Sequence, residues 1–288
     1  MALNILKAGD GPDNGHNRQK KAAVINDLSC FGRCSLTAVL PLLSAMKVQC
    51  CPVPTAIFTN HTGYPSYAWT DYTEHLDDFI SEWKKLGLRF DVIATGFLGS
   101  VRQIDFVRRF LDAFRMDGTL VAVDPVMGDD GKLYATYDRE LAAAMRQLLE
   151  VADILTPNLT EACVLADRPY DPHISDAELS ELVLQLSGGC RKVVISGIER
   201  GDELVNVVGE NHRPPVFISE KRIGCRRSGT GDVFFAVVVG NVVNGVPFSE
   251  AVRRASAFVA KAAACTSRLG IHTEDGLAFE EIIRELVE

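Results

Sequence analysis

The sequence predicts a three-layer α/β fold, with a central, mostly parallel β-sheet and helices on both faces. Three observations carry this. Short, continuously apolar runs alternate with stretches of helical spacing along the chain, and continuous apolarity suits strands covered on both faces. Polar, Gly- and Pro-containing turns punctuate the alternation, with no internal repeat, low-complexity tract or linker. The 288 residues, 47% hydrophobic and 24% charged, suffice for one large α/β domain or two small ones.

Residues 1–20 are polar and lack the apolar core and small-residue cleavage site of a signal peptide. They are expected to form an N-terminal extension, leaving 21–288 as a single domain. Ala22–Asn26 reads as the first strand. Ser35–Lys47 has helical spacing, with Pro41 expected to kink it. Gln49–Pro54 is the next strand, Glu74–Leu86 a helix and Asp91–Thr95 a strand. The alternation continues with helix Ile104–Met116, strand Thr119–Val123, helix Arg139–Glu150 and the short strand Asp153–Leu155. Ala177–Leu186 is helical and Lys192–Ser196 extended. Glu203–Val208 and Pro215–Ser219 read as two adjacent strands, with an antiparallel pairing open to them. Gly231–Asn244 and Ser249–Ser267 complete the set as helices.

The formal net charge of −8 disfavours a nucleic-acid partner, which would call for a basic surface. No apolar run reaches about 18 residues without a charge, so no membrane span is expected; Val233–Val243 fits a buried helix instead. The eight cysteines are scattered. Only Cys30 and Cys34 come near metal-ligand spacing, and reduced thiols in a cytoplasmic protein are the expected state.

In a parallel sheet, ligands bind beyond the carboxyl ends of the strands, and three motifs follow strands here. Gly229-Thr230-Gly231-Asp232 opens an apolar helix. Its backbone N–H groups form a nest for an anion, and Asp232 in the first turn can reach a bound hydroxyl as a base. Asp124-Pro125-Val126-Met127-Gly128 places a carboxylate at a strand end, where oxygen ligands suit Mg²⁺. Thr156-Pro157-Asn158-Leu159-Thr160-Glu161-Ala162 brings a second carboxylate. The plainer readings are a helix-opening Asp, an Asp-Pro turn, and a cap with Asn158 or Thr160 at the helix start. Together the motifs supply an anion nest, a base and two metal-side carboxylates, the needs of phosphoryl transfer. There is no G-x-x-x-x-G-K-[ST] loop, no H-R-D or D-F-G set, no G-x-G-x-x-G after the first strand and no G-x-S-x-G elbow.

These residues resemble the ribokinase-like superfamily. GTGD at 229–232 matches its signature, and DPVMGDDGKLY at 124–134 with TPNLTEA at 156–162 matches its vitamin-kinase branch. Phe58-Thr59-Asn60-His61-Thr62-Gly63-Tyr64 resembles the S-N-H-T-x-Y segment of pyridoxal kinases. The likeness runs from about residue 22 to about residue 270. It implies ATP-dependent phosphorylation of the 5′-hydroxymethyl group of a B6 vitamer: pyridoxal, pyridoxamine or pyridoxine. It assigns Asp232 as the base and Gly229, Thr230 and Gly231 to the transferring charge. Asp124 and Glu161 would support Mg²⁺, Asn158 and Ser196 the ATP phosphates, and Thr59 and His61 the B6 ring. Residues 127–137 would form a flap whose closure excludes water. The resemblance further implies a homodimer, and a monovalent cation is a further candidate beside Mg²⁺.

The chain departs from that pattern in places. Asp27 stands where the family often has Ser against the ring; it could pair with a protonated ring nitrogen or an amine, or act as a loop cap. Phe97 replaces a ring-facing Tyr, keeping the stacking face and losing a hydroxyl. The alternatives are a hydroxymethylpyrimidine or other small-alcohol kinase of the same superfamily and, from another class, a nucleotide- or vitamer-sensing protein without turnover.

Overall fold

The computed structural model describes residues 15–134, 136–189, 191–210 and 213–287. The first half runs β1 (Lys21–Ser29), α1 (Ser35–Ala45), β2 (Gln49–Phe58), β3 (Trp69–Asp71), α2 (Leu76–Lys85), β4 (Val92–Thr95), α3 (Val101–Phe114) and β5 (Leu120–Val123). A small hairpin of β6 (Gly128–Asp129) and β7 (Lys132–Leu133) follows, then α4 (Arg139–Met145), β8 (Ile154–Leu155), α5 (Leu159–Ala166) and α6 (Asp176–Ser187). The chain continues through β9 (Lys192–Arg200), β10 (Glu203–Glu210), β11 (Val216–Lys221), α7 (Thr230–Val243) and α8 (Phe248–Leu269). Short 3₁₀ turns occupy residues 273–286.

Nine strands form one sheet in the order β11-β10-β9-β8-β5-β4-β1-β2-β3, and β6–β7 stands apart. The run from β9 to β2 is parallel. β10 and β11 add an antiparallel flank, and β3 pairs antiparallel with β2.

Alternate strand residues serve opposite faces. Ala23, Ile25, Val121, Val123, Val193 and Ile195 meet α2 to α6, with Phe106, Phe110 and Leu179 prominent. Ala22, Val24, Val92, Ala94 and Val194 meet α1, α7 and α8. Helix α7 is buried from Val233 to Val242, enclosed by α1 and α8 beside the sheet. That explains its uniform apolarity, which an amphipathic surface helix would not show. No helix among the described residues is long and apolar enough to cross a membrane.

Several elements differ from the sequence expectation. β2 continues to Phe58 through Pro52 and Pro54, which pair with Val24 and Asn26. β3 covers the outer edge of β2 only at residues 56–58, so the prolines occupy an edge that needs no N–H donor. Pro41 lies within α1, which stops at Ala45 rather than Lys47; Lys47 has a positive φ of 63°. Residues 146–150 wind as a 3₁₀ turn after α4. β3 and the β6–β7 hairpin carry no apolar run that would announce them. Of the expected N-terminal extension, residues 1–14 lie outside the described residues. Asn17 donates to the Gly87 carbonyl and Lys20 to the Val243 carbonyl, so both are bonded to the body.

The topology positions the site. β1 passes to β2 on one side, whereas β4 leads to β5, β8 and β9 on the other. The strand order therefore reverses between β1 and β4, the place where open α/β sheets bind ligands.

Candidate active site

The turn before α7 is held from behind. Gly229 is the N-cap of α7 with φ 72°, a left-handed conformation glycine adopts without strain. A Cβ there would lie 1.9 Å from the Arg33 carbonyl oxygen, so the turn is pressed against the segment that opens α1. Gly231 differs: it is exposed, and a Cβ would meet nothing within 4 Å. The Thr230 hydroxyl donates to the Arg227 carbonyl at 2.8 Å, closing the loop. Its backbone N–H, with that of Gly231, opens the helix. Asp232 sits half-buried in the first turn. Burial pushes its carboxyl up to about 6, while hydrogen bonds from the Ser35 backbone and the Asn26 side chain favour the ionised form.

Two more carboxyls stand at neighbouring strand ends. Asp124 is 8% exposed and accepts from the Thr156 hydroxyl at 3.1 Å. Burial, with repulsion from Asp232, pushes it up to about 8. Glu161 is buried; it accepts from the Met127 N–H at 3.1 Å and the Asn158 N–H at 2.9 Å. Burial and the nearby Asp124 raise its carboxyl well above the usual range. In each case burial works against the ionised form, and positive charge nearby would work for it.

All eight of Asp124, Asn158, Glu161, Ser196, Gly229, Thr230, Gly231 and Asp232 line one cavity of about 520 Å³. Asn158 caps α5 in a reciprocal capping box with Glu161 and donates to the Gly128 carbonyl at 2.8 Å. Ser196 pairs with it by a backbone bridge. Thr160 accepts from the Gly131 N–H at 2.9 Å. The hairpin β6–β7 is thus moored to the head of α5. Arg226 grips its other side through Asp129 at 3.0 Å and Asp130 at 2.7 Å.

The four residues expected at the acceptor ring lie outside that cavity lining. Asp27 is buried and accepts from the Ser29 hydroxyl at 2.9 Å; burial raises its carboxyl. Phe97 packs near Phe58 and Tyr137. The Thr59 hydroxyl is used within its own loop, donating to Asn60 and accepting from the Ala68 N–H at 3.0 Å. His61 accepts from the Gly63 N–H at Nδ1, so its Nε2 carries the proton toward the Glu274 carbonyl at 2.6 Å. Both ring nitrogens are engaged, the ring packs beside Tyr64 with centroids 4.6 Å apart, and its carbon edge lies against Gly32 and Gly63.

Sequence reasoning missed three connecting residues. Asn26, 2% exposed, joins the two groups: its Oδ1 accepts from the Asp27 and Phe97 N–H groups and its Nδ2 faces Asp232. Glu274 accepts from Ser228 at 2.7 Å beside the glycine turn, while its carbonyl holds His61. Arg226 is the third. Only the strand-end position of Asn26 offered a signal.

The sequence profile of the phosphomethylpyrimidine kinase family matches residues 34–276. The chain belongs to that family. It is an ATP-dependent kinase of the ribokinase-like fold, and its similarities are consistent with the pyridoxal kinase branch. It is 30% identical over 215 residues to the pyridoxal kinase of Arabidopsis thaliana, covering 71% of this chain and 68% of the relative. A Bacteroides thetaiotaomicron protein assigned as a phosphomethylpyrimidine kinase superposes with a TM-score of 0.92 at 37% identity, covering 94% of this chain and 95% of that one. The same protein in a crystal form with pyridoxal gives a TM-score of 0.89 at 36% identity, covering 94% and 96%. Pyridoxal kinase from Lactobacillus plantarum gives 0.86 at 29% identity, covering 94% and 97%.

Among the kinase's described residues, no group of three or more His, Cys, Asp or Glu side chains could hold a metal ion by itself. Asp124 and Glu161 both line the cavity and interact electrostatically with each other.

Proposed function

We propose that this kinase transfers the γ-phosphoryl group of ATP to the 5′-hydroxymethyl group of a B6 vitamer. One observation carries the reading. Asp232 stands at the junction between the 520 Å³ cavity and the residues grouped around Asp27 and Phe97, linked to the latter through Asn26. A base must stand between donor and acceptor, and a carboxyl at this junction supports that role for Asp232.

In this reading the polyphosphate lies in the cavity, against Asn158 and Ser196. The vitamer lies toward Asp27, Thr59, His61 and Phe97. Asp232 takes the hydroxyl proton as the oxygen attacks phosphorus. The N–H groups of Gly229, Thr230 and Gly231 hold the charge on the transferring group. Asp124 and Glu161 would hold Mg²⁺, and their raised protonation suits the proposal, since a cation would favour their ionised forms. A bound Mg²⁺ supplies charge neutralisation at the phosphates. The β6–β7 hairpin serves as the flap, keeping water from the phosphoryl group. A single domain over 21–288, a homodimeric assembly and a cytoplasmic setting belong to the same proposal.

The family's own name favours a second reading, a hydroxymethylpyrimidine kinase. A coupled ADP-release assay across pyridoxal, pyridoxine, pyridoxamine and hydroxymethylpyrimidine separates the two. Turnover with a B6 vitamer is expected, and Asp232→Asn is expected to abolish it while ATP still binds. Turnover confined to hydroxymethylpyrimidine would move the substrate to the second reading. Full activity of Asp232→Asn would remove that residue from its role.

A further inference from the structure

We propose that Asn26 is a positioning residue for the kinase reaction: its amide holds the Asp232 carboxylate toward the acceptor while fixing the backbone on the acceptor side. The proposal rests on the reading of Asp232 as the base. It adds a residue that neither the strand-end motifs nor the family signature assigns.

Asn26 lies near the end of β1, beside the point where the strand order reverses, and it is 2% exposed. Its side chain makes three directional contacts. Oδ1 accepts from the Asp27 N–H at 2.9 Å and from the Phe97 N–H at 2.8 Å. Nδ2 donates to Asp232 Oδ1 at 3.3 Å. The two acceptor bonds determine which way the amide faces: with Oδ1 committed to two N–H groups, Nδ2 is turned to Asp232. The amide is closely packed. A Cβ on Gly96 would lie 2.4 Å from Asn26 Nδ2, so the β4 loop closes directly over it.

An amide suits this place better than other side chains. A carboxylate could satisfy the two N–H donors but would turn a second negative oxygen on Asp232. An aliphatic residue would leave both N–H groups without partners in a buried site, a costly condition. Asparagine alone of the near-isosteric choices accepts on one side and donates on the other. Orientation matters because a base misplaced by about 1 Å can lose on the order of 100-fold in rate.

Asn26→Asp breaks the link and sets a carboxyl against Asp232 in its place. It retains an oxygen for the Asp27 and Phe97 N–H groups and removes the donor facing Asp232. Steady-state kinetics with ATP and a B6 vitamer should show kcat reduced by roughly 10-fold or more, with both KM values within about twofold. The decisive comparison is the double variant. If Asn26 acts through Asp232, adding Asn26→Asp to Asp232→Asn should change the residual rate by less than about twofold. Asn26→Ser, smaller than the native side chain, is carried through the same cycle in case the aspartate variant does not fold. Native kcat in either folded variant overturns the proposal. So does a fall of equal size with and without Asp232, which would make Asn26 a scaffold residue only. An active Asp232→Asn enzyme instead rejects the base assignment, a failure separate from that of the Asn26 link.

Discussion

Glu161 and Asn158 cap each other at the head of α5 and, with the same side chains, secure the neighbouring hairpin. The Asn158 N–H donates to Glu161 Oε2 at 2.9 Å and the Glu161 N–H to Asn158 Oδ1 at 3.0 Å. The remaining Glu161 oxygen takes the Met127 N–H, and the Asn158 amide reaches the Gly128 carbonyl. The capping reading and the cavity-wall reading of this motif are therefore compatible.

Asn158→Ala should lose both functions. The cap is worth about 1 kcal/mol and the tether a similar amount, so roughly 2 kcal/mol of stability should disappear in urea unfolding. Asn158→Asp keeps the cap acceptor and loses the tether donor, so it should retain about half of that difference. Equal losses in the two variants would show that the hairpin tether contributes nothing.

The two glycines of the turn should respond in opposite ways. Gly229→Ala forces a Cβ against the Arg33 carbonyl in a left-handed conformation, a strain of about 1–3 kcal/mol before any backbone shift. Gly231→Ala meets nothing within 4 Å and sits in the first turn of α7, so stability should hold or rise by a few tenths of a kcal/mol. Its methyl faces open space at the cavity, so the cost should fall on turnover and on KM for ATP. Denaturant midpoints set beside kinetics for the two variants check this division.

That division was only half legible in the sequence. The strands were readable because both faces are buried and their apolar runs are continuous. β3 and β6–β7 were not, since Trp69-Thr70-Asp71 is exposed and the hairpin is mostly polar. That Asp124, Glu161 and Asp232 face one cavity was readable because each sits in a local motif, at a strand end or at the head of a helix. Asn26 was not: its partners Phe97 and Asp232 lie 71 and 206 residues away, and only the sheet order brings them together. Thr59 and His61 were singled out by resemblance alone; in the structure the Thr59 hydroxyl serves its own loop, and the His61 ring nitrogens meet the Gly63 N–H and the distant Glu274 carbonyl.

Protonation of two carboxyls should set the pH response. Asp232 must be ionised to accept a proton, and burial places it at about 6. The ratio kcat/KM should therefore fall as pH drops through about 6, approaching tenfold per unit. Asp124, at about 8 without a cation, holds a proton that the unfolded chain would have released near 3.8. Its contribution is fully present below the unfolded value and is lost as pH rises through about 8. If Asp124 holds Mg²⁺ as proposed, the ion displaces that proton, and its affinity for the nucleotide-free enzyme should rise by up to about tenfold per pH unit between roughly 6 and 8. Thermal-shift titrations with Mg²⁺ read this directly. A pH-independent affinity would place the cation away from Asp124.

Arg226 offers a test of the hairpin as a flap. Its guanidinium bridges Asp129 and Asp130 and approaches Glu199 at 3.5 Å, joining β6–β7 to β9 and to the loop before the glycine turn. These ion pairs are solvent-exposed, so Arg226→Ala should change global stability by less than about 1 kcal/mol. The local effect should be larger, because the hairpin loses its anchor on the Arg226 side. Hydrogen exchange should quicken across residues 128–133 while the sheet remains protected. With the flap looser, water reaches the phosphoryl group, and ADP release without any alcohol acceptor should rise severalfold over the native enzyme. Arg226→Lys retains the charge but not the forked donor that spans two carboxylates, so it should fall between the two. If hairpin exchange quickens and acceptor-free ADP release does not, the hairpin is a surface feature and water is excluded by other groups.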